Sequence, residues 1–248
     1  MQNYMLELCY DGTRYRGWQR QGNTPDTIQA KTETILGKVL ERQVEIAASG
    51  RTDAGVHARR QVCSFRAETE LSPQEILAGL RSHLPEDIGA LSLRLAPPRF
   101  HARLSCLRKT YLYRIWNSET PNVFRRRYML TAPGLLDLDA MAQAAALMEG
   151  EHDLLGFSSL RDSKKSTVRR IDAVSVEKDG DELCLRFTGS GFLYNSVRIM
   201  AGTLLDVGKG AMQPQIVEQV YARRDRTLAG PTLPAHGLIL WDAEHRFE

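Results

Sequence analysis

The chain has 248 residues, of which 42% are hydrophobic, and its formal net charge is +3. This length and composition provide enough apolar surface for one large domain or two small ones. No apolar run has the length of a transmembrane helix, and the first residues lack a signal-peptide pattern, so we expect a cytoplasmic protein. With a net charge this small, binding of nucleic acid must rest on local basic clusters.

The sequence predicts neither a cofactor nor a metal ion. Its cysteines occur singly among apolar neighbours, which favours reduced thiols over disulfides or a zinc site. They are Cys9, Cys63, Cys106 and Cys184. The Gly189-Ser190-Gly191 stretch lacks the third glycine of a dinucleotide-binding fingerprint, so a Rossmann fold is excluded.

Hydrophobic patterns divide the first half into six elements. In chain order they are a strand over 4–10, a helix that begins near Asp26, strands over 44–48 and 61–65, a helix that begins at Ser72, and a strand over 88–95. Gln29 and Glu75 complete capping boxes at the two helix starts. The order β-α-β-β-α-β is that of a ferredoxin-like unit.

The second half broadly repeats this order with additions. Its predicted elements are a strand over 108–116, a helix over 138–148, a hairpin over 174–187, a helix with an apolar stripe over 194–205, a helix over 214–223 and a strand over 238–241. We therefore predict an α+β fold of two fused ferredoxin-like halves, 1–104 and 105–248, with a mainly antiparallel sheet.

The stretch from Ser49 to Ala58 places several charged and polar side chains in a glycine-flanked turn between two strands. Asp53 is at its centre, and Arg51 could hold an anion or keep the carboxylate ionised. A Thr-Asp-Ala-Gly sequence is also an ordinary way to turn a chain, so the residues alone leave both interpretations open.

Local basic clusters are candidate contacts with RNA phosphates. Arginines alternate with aromatic residues between Tyr15 and Gln21, as in surfaces on which bases stack, although a surface loop with an aromatic anchor also explains this mixture. The run Arg125–Arg127 could bind phosphates or could protect a sheet edge against aggregation.

Several motifs together resemble the tRNA pseudouridine synthase A family. Gly-Arg-Thr-Asp-Ala-Gly-Val-His-Ala, around Asp53, is similar to the family's signature. The others, in the family's order, are Tyr10-Asp11-Gly12, Gly17-Trp18-Gln19, Phe100-His101-Ala102-Arg103, Tyr111-Leu112-Tyr113, Val197-Arg198 and the ending Gly237-Leu238-Ile239-Leu240-Trp241. Matches therefore extend from Tyr10 to Trp241.

The resemblance implies an RNA pseudouridine synthase with a central RNA-binding cleft, acting without a cofactor on uridines 38, 39 and 40 of the tRNA anticodon stem-loop, as a homodimer. By carry-over, Asp53 is the catalytic residue, Tyr111 lies against the target base, and Arg198 is the partner of Asp53. Arg51 would fill the space that the flipped base leaves, or grip its phosphate. Whether Asp53 attacks the ribose or removes a ribose proton stays open.

The chain departs from the family's pattern at Arg81, Leu154, Gly156 and Ser196. None of these is Asp53, Tyr111 or Arg198, so the departures bear on substrate choice more than on chemistry. They motivate one alternative, the same reaction on another RNA such as ribosomal RNA. A second alternative is an RNA-binding or RNA-chaperone protein without catalysis.

Overall fold

In a computed structural model, which describes residues 1–161 and 164–247, the chain divides into two compact units. The first comprises Met1–Leu107 and Ile239–Glu248, and the second comprises Arg108–Leu238. The last strand of the chain thus belongs with the first unit, whereas the predicted division placed it in the second half. The first unit therefore combines two segments that are far apart in the sequence.

The helices and strands alternate along the chain. The strands are β1 (Gln2–Tyr10), β2 (Ala47–Ala48), β3 (His57–Ala67), β4 (Ile88–Leu95), β5 (Cys106–Trp116), β6 (Leu130–Thr131), β7 (Gly150–Asp153), β8 (Val168–Asp179), β9 (Glu182–Gly189) and β10 (Leu238–His245). The helices are α1 (Ile28–Val39), α2 (Pro73–His83), α3 (Leu138–Leu147), α4 (Ser196–Gly208) and α5 (Ile216–Arg223).

The sheet of the first unit has the strand order β4-β1-β3-β2, with antiparallel neighbours. This is the ferredoxin-like arrangement predicted from the sequence. The start of β3 also pairs in parallel with β10, where Ile239 is opposite His57. β3 is therefore held along its length, which fixes the point at which the Asp53 loop enters it.

The two helices of the first unit differ in how well the sequence predicted their starts. Ser72 caps α2, and Glu75 completes a capping box, as predicted. The predicted capping box at Asp26 and Gln29 is wrong: Thr27 is the N-cap of α1, and its side chain accepts from the Ala30 amide. The Gln29 side chain instead donates to Glu33, because it lies on the buried face of the helix.

The second unit has a sheet of the order β5-β9-β8-β7 with antiparallel neighbours, and β6 extends it beside the end of β5. Its most buried helix is α4, in which all of the 13 residues except Arg198 and Asp206 are buried. A charged side chain in such a helix needs polar partners, so its surroundings determine where it points. Both units are mixed α+β with mainly antiparallel strands, as predicted.

Within residues 1–161 and 164–247, no helix combines the length and apolar character that crossing a membrane requires. All four cysteines are free thiols, and burial raises the pKa of Cys63 well above its ordinary value. Asp162 and Ser163, in the polar segment after β7, lie outside the described residues.

Candidate active site

The structure places the predicted site residues in two groups. Arg51 and Asp53 share the loop between β2 and β3 in the first unit. Tyr111, on β5, and Arg198, in the first turn of α4, belong to the second unit. The β2–β3 loop holds the first group, and β5 and α4 hold the second.

The Asp53 loop turns tightly before it enters β3. The Val56 amide donates to the Asp53 carbonyl over 3.1 Å, which closes the turn through Ala54 and Gly55. Gly55 has a φ of +79°, a conformation that glycine adopts without steric cost. Asp53 is half-buried, whereas Arg51 is exposed.

The segment that follows β1 packs against the back of this loop. The Trp18 amide donates to the Thr52 carbonyl over 2.9 Å. A Cβ atom on Gly17 would lie 2.8 Å from that carbonyl, and one on Gly12 would lie 2.0 Å from the Val56 carbonyl. Glycines in the two motifs thus let two backbone segments approach closely, which no other residue would permit.

His57 fixes the same segment from β3. It is 3% exposed, and its Nδ1 accepts a hydrogen bond of 3.0 Å from the Gly12 amide. The same Nδ1 lies 3.1 Å from Asp11 Oδ1, so the ring contacts two consecutive residues of that segment. Within the described part of the chain, no group of three His, Cys, Asp or Glu side chains could hold a metal ion.

Sequence reasoning missed a set of buried polar side chains around the loop. Gln61, on β3, is fully buried and donates to the Gly50 carbonyl over 2.7 Å. Tyr10 and Thr52 share a hydrogen bond of 2.8 Å between their hydroxyl oxygens. The available signal was Gln61 itself, a polar residue that begins an apolar strand pattern.

Tyr111 and Tyr113 occupy the same face of β5 but have different surroundings. Tyr111 is 7% exposed, and its ring makes an edge contact with Phe192 at 5.3 Å between centroids. Tyr113 is fully buried and donates to the Pro234 carbonyl over 2.8 Å. Burial raises the pKa of Tyr113, and the charge of Arg198 opposes this rise only in part. Tyr113 is therefore a core residue.

Arg198 is held by hydrogen bonds from its own guanidinium group. Its Nε donates to the Leu233 carbonyl over 2.6 Å, and its Nη1 donates to Asn195 Oδ1 over 2.9 Å. Asn195 has a φ of +62° and donates in turn to Ser159 Oγ over 2.9 Å. The guanidinium group is thus fixed by two acceptors of its own unit.

The four departures from the family's pattern have structural roles. Arg81 donates to the carbonyls of Ala90 and Leu91, which ties α2 to β4. Ser196 is buried and donates to the Leu193 carbonyl over 2.9 Å. Leu154 is fully buried, and a Cβ atom on Gly156 would lie 2.7 Å from the Val220 carbonyl. All four thus support the fold of their own unit.

The protein has an α+β fold, and its candidate active site contains an aspartate on a glycine-flanked loop. Comparison with known proteins identifies the family. A family model described as tRNA pseudouridine synthase matches residues 9–103 and 144–246. The chain belongs to this tRNA pseudouridine synthase family, as its motifs predicted.

Individual relatives cover nearly the whole chain. A protein named tRNA pseudouridine synthase A from a Bacillus species is 43% identical over 93% of this chain and 94% of its own length. One of the same name from an Exiguobacterium species is 42% identical over 99% of this chain and 98% of its own length. A tRNA pseudouridine synthase A 2 from Bacillus anthracis is 37% identical over 98% of this chain and 100% of its own length.

The chain is also similar to part of a solved structure described as an H/ACA RNP bound to a substrate RNA containing 2'-deoxyuridine. The similarity has a TM-score of 0.39 and 15% sequence identity, and it spans 82% of this chain and 44% of that chain.

Proposed function

We propose that this protein isomerises uridine to pseudouridine in tRNA, with Asp53 as its catalytic residue. The observation that carries the proposal is the family match, which includes the Asp53 loop, together with relatives of the same family name over nearly the full chain. The hydrogen-bonded turn at Asp53 supports the assignment, because catalysis requires a carboxylate in a fixed position.

The reaction rearranges one nucleoside and needs no second substrate. The bond between N1 of uracil and C1′ of the ribose breaks, the uracil turns, and a bond forms between C5 and C1′. The hydrogen on C5 leaves as a proton, and N1 gains one. Asp53 starts the reaction either by attacking the sugar or by removing a ribose proton, both of which require an ionised carboxylate.

The other site residues have supporting roles in this proposal. Tyr111 stacks on the flipped uracil, and its edge contact with Phe192 keeps the ring oriented for that purpose. Arg198 acts as the partner that keeps Asp53 ionised, and Arg51 contacts the RNA where the base has left the stack.

Finer features of the proposal rest on the resemblance. The target uridines are those at positions 38, 39 and 40 of the anticodon stem-loop, the active form is a homodimer, and the protein works in the cytoplasm. Exposed arginines at 125–127 add local positive charge of the kind that binds phosphates, although Arg125 also pairs with Glu182 at 3.2 Å.

Release of tritium from uridine C5 tests both the reaction and its substrate, because that hydrogen leaves whenever the base is reattached through carbon. We expect release from tRNA transcripts and a loss of part of it when uridine 38, 39 or 40 is replaced by cytidine. Release from ribosomal RNA alone would keep the chemistry and overturn the substrate. Binding of tRNA without release from any RNA would favour the non-catalytic alternative.

A further inference from the structure

The backbone before Asp53 is held by a network of buried polar side chains. Gln61 is 0% exposed, and its amide uses both ends: Nε2 donates to the Gly50 carbonyl over 2.7 Å, and Oε1 accepts from Ser49 Oγ over 2.6 Å. The Ser49 amide donates to the Val62 carbonyl over 2.8 Å, so Ser49 is also fixed to β3 by its backbone. One glutamine thus holds two consecutive residues of the loop.

Tyr10 extends the network toward Asp53. Its hydroxyl group is 2.8 Å from Thr52 Oγ1 and also accepts a longer bond of 3.4 Å from Gln61 Nε2. Tyr10 and Thr52 are both buried, at 5% and 6% exposure. Hydrogen bonds in such surroundings have well-defined geometry, since a bond that is broken here is not replaced by water.

These hydrogen bonds hold the part of the loop that precedes Asp53. The Gly50 carbonyl accepts a hydrogen bond from Gln61. The Thr52 hydroxyl group bonds to Tyr10, and the Thr52 carbonyl accepts from the Trp18 amide. Past Asp53, the turn is closed by the Val56 amide. The two attachments bracket the aspartate, so they determine the direction in which its side chain leaves the backbone.

We propose that Gln61 and Tyr10 are positioning residues for Asp53, which set the backbone of residues 49–52 without contacting the substrate. The proposal rests on the proposed function of Asp53. Misplacement of a reacting group by about 1 Å can cost on the order of 100-fold in rate, so a network that fixes this backbone has a direct effect on turnover.

The competing explanation is that the network only stabilises the fold, and Asn3 provides a matched control for it. Asn3 is 8% exposed in the same unit, and its side chain donates to the carbonyls of Pro97 and Phe100 over 2.7 and 2.8 Å. Its amide therefore makes two hydrogen bonds in the interior of the same unit, as that of Gln61 does, but it holds a different loop.

The experiment compares Gln61→Met, Tyr10→Phe and Asn3→Leu by tritium release from tRNA and by urea unfolding. We expect Gln61→Met to lower kcat by about 10-fold to 100-fold with KM within about two-fold, and Tyr10→Phe to lower kcat by a smaller factor. Asn3→Leu should reduce the unfolding midpoint and keep kcat within about two-fold. Tyr10→Phe removes one oxygen atom, so it remains informative if Gln61→Met does not fold.

A second measurement reports on the loop independently of turnover. The Val56 amide donates to the Asp53 carbonyl, so its hydrogen exchange should be faster in Gln61→Met than in Asn3→Leu at equal global stability. Unchanged kcat and unchanged Val56 exchange would overturn the positioning role and leave the proposed function intact. An inactive parent protein would overturn both.

Discussion

The Asp53 loop of the first unit and the Arg198 turn of the second hold their functional residues in different ways. At the loop, the hydrogen bonds of Gln61, Tyr10 and the Trp18 amide act on the backbone and on neighbours of Asp53. At the turn, they act on the functional side chain, because the Arg198 guanidinium itself donates to Leu233 and Asn195.

This difference determines what a substitution does in each region. Changes around Asp53 act by moving the backbone, so they can alter the rate while the carboxylate is intact. Changes at Arg198 act on the charged group directly, since its donors are shared among fixed acceptors. Substitutions in the two regions therefore have distinguishable effects.

The largest effects are expected from a methyl group added at Gly12 or Gly202, where another backbone segment lies very close. A Cβ atom on Gly12 would lie 2.0 Å from the Val56 carbonyl, and one on Gly202 would lie 2.0 Å from the Pro231 carbonyl. Gly12→Ala and Gly202→Ala should each lower the free energy of unfolding by about 3 kcal/mol, measured by urea unfolding. Gly22→Ala is the control, because nothing lies within 4 Å of its Cβ position. Equal stability in all three would contradict this account of close backbone approach.

A smaller effect is expected when the geometry of the arginine is changed and its charge is kept. Lysine cannot reach both Leu233 and Asn195 with fixed donors, so Arg198→Lys should lower kcat by about 100-fold, or about 2.7 kcal/mol. Single-turnover tritium release measures this, with Arg223→Lys, an exposed arginine of the same unit, as the control. Full activity of Arg198→Lys would show that charge alone suffices.

An ion pair outside both regions should affect stability and leave the rate unchanged. Burial raises the pKa of Glu182, but the hydrogen bond and charge of Arg114, with Nε to Oε1 at 2.6 Å, outweigh it, so the pKa is lowered from 4.5. Its stabilising effect is therefore present above pH 4.5 and disappears as the pH falls through the lowered pKa. Glu182→Gln should cost about 2 kcal/mol at pH 7.

Urea unfolding across this pH range, with kcat measured at pH 7, tests the prediction. Glu119→Gln is the control, because Glu119 is exposed in the same unit. A cost that grows as the pH falls would have the wrong sign.

The smallest effect is expected at Arg51, which is exposed on the loop. Arg51→Ala should raise KM for tRNA by about five-fold, or about 1 kcal/mol, and reduce the salt dependence of binding by about one phosphate contact. Titration of tRNA binding at several salt concentrations measures this. A large fall in kcat at unchanged KM would instead place Arg51 in the chemical step.

Sequence reasoning succeeded where the signal is local. The start of α2 follows from Ser72 and Glu75, and β4 has the predicted range Ile88–Leu95. It failed where neighbours compete: several residues before α1 can cap a helix, and Thr27 does so. The helix predicted from Tyr194 begins only at Ser196, because Asn195 has a left-handed backbone conformation.

Strand lengths and the support of the site also depend on distant partners. β2 is reduced to Ala47–Ala48 from the predicted 44–48, whereas β3 extends from His57 because β1 and β10 pair with it. The motif indicated Asp53, but no local pattern shows that Gln61 bonds to Gly50. The role of a buried polar residue becomes evident only when its hydrogen-bond partner is known.

The most direct test of the account is tritium release from C5-labelled tRNA by the intact protein and by Asp53→Asn, with tRNA binding measured for both. Asparagine keeps the size of the side chain and removes its charge. We predict that Asp53→Asn binds tRNA within a few-fold of the intact protein and releases tritium at least about 1,000-fold more slowly. An Asp53→Asn protein as active as the original would contradict the central claim.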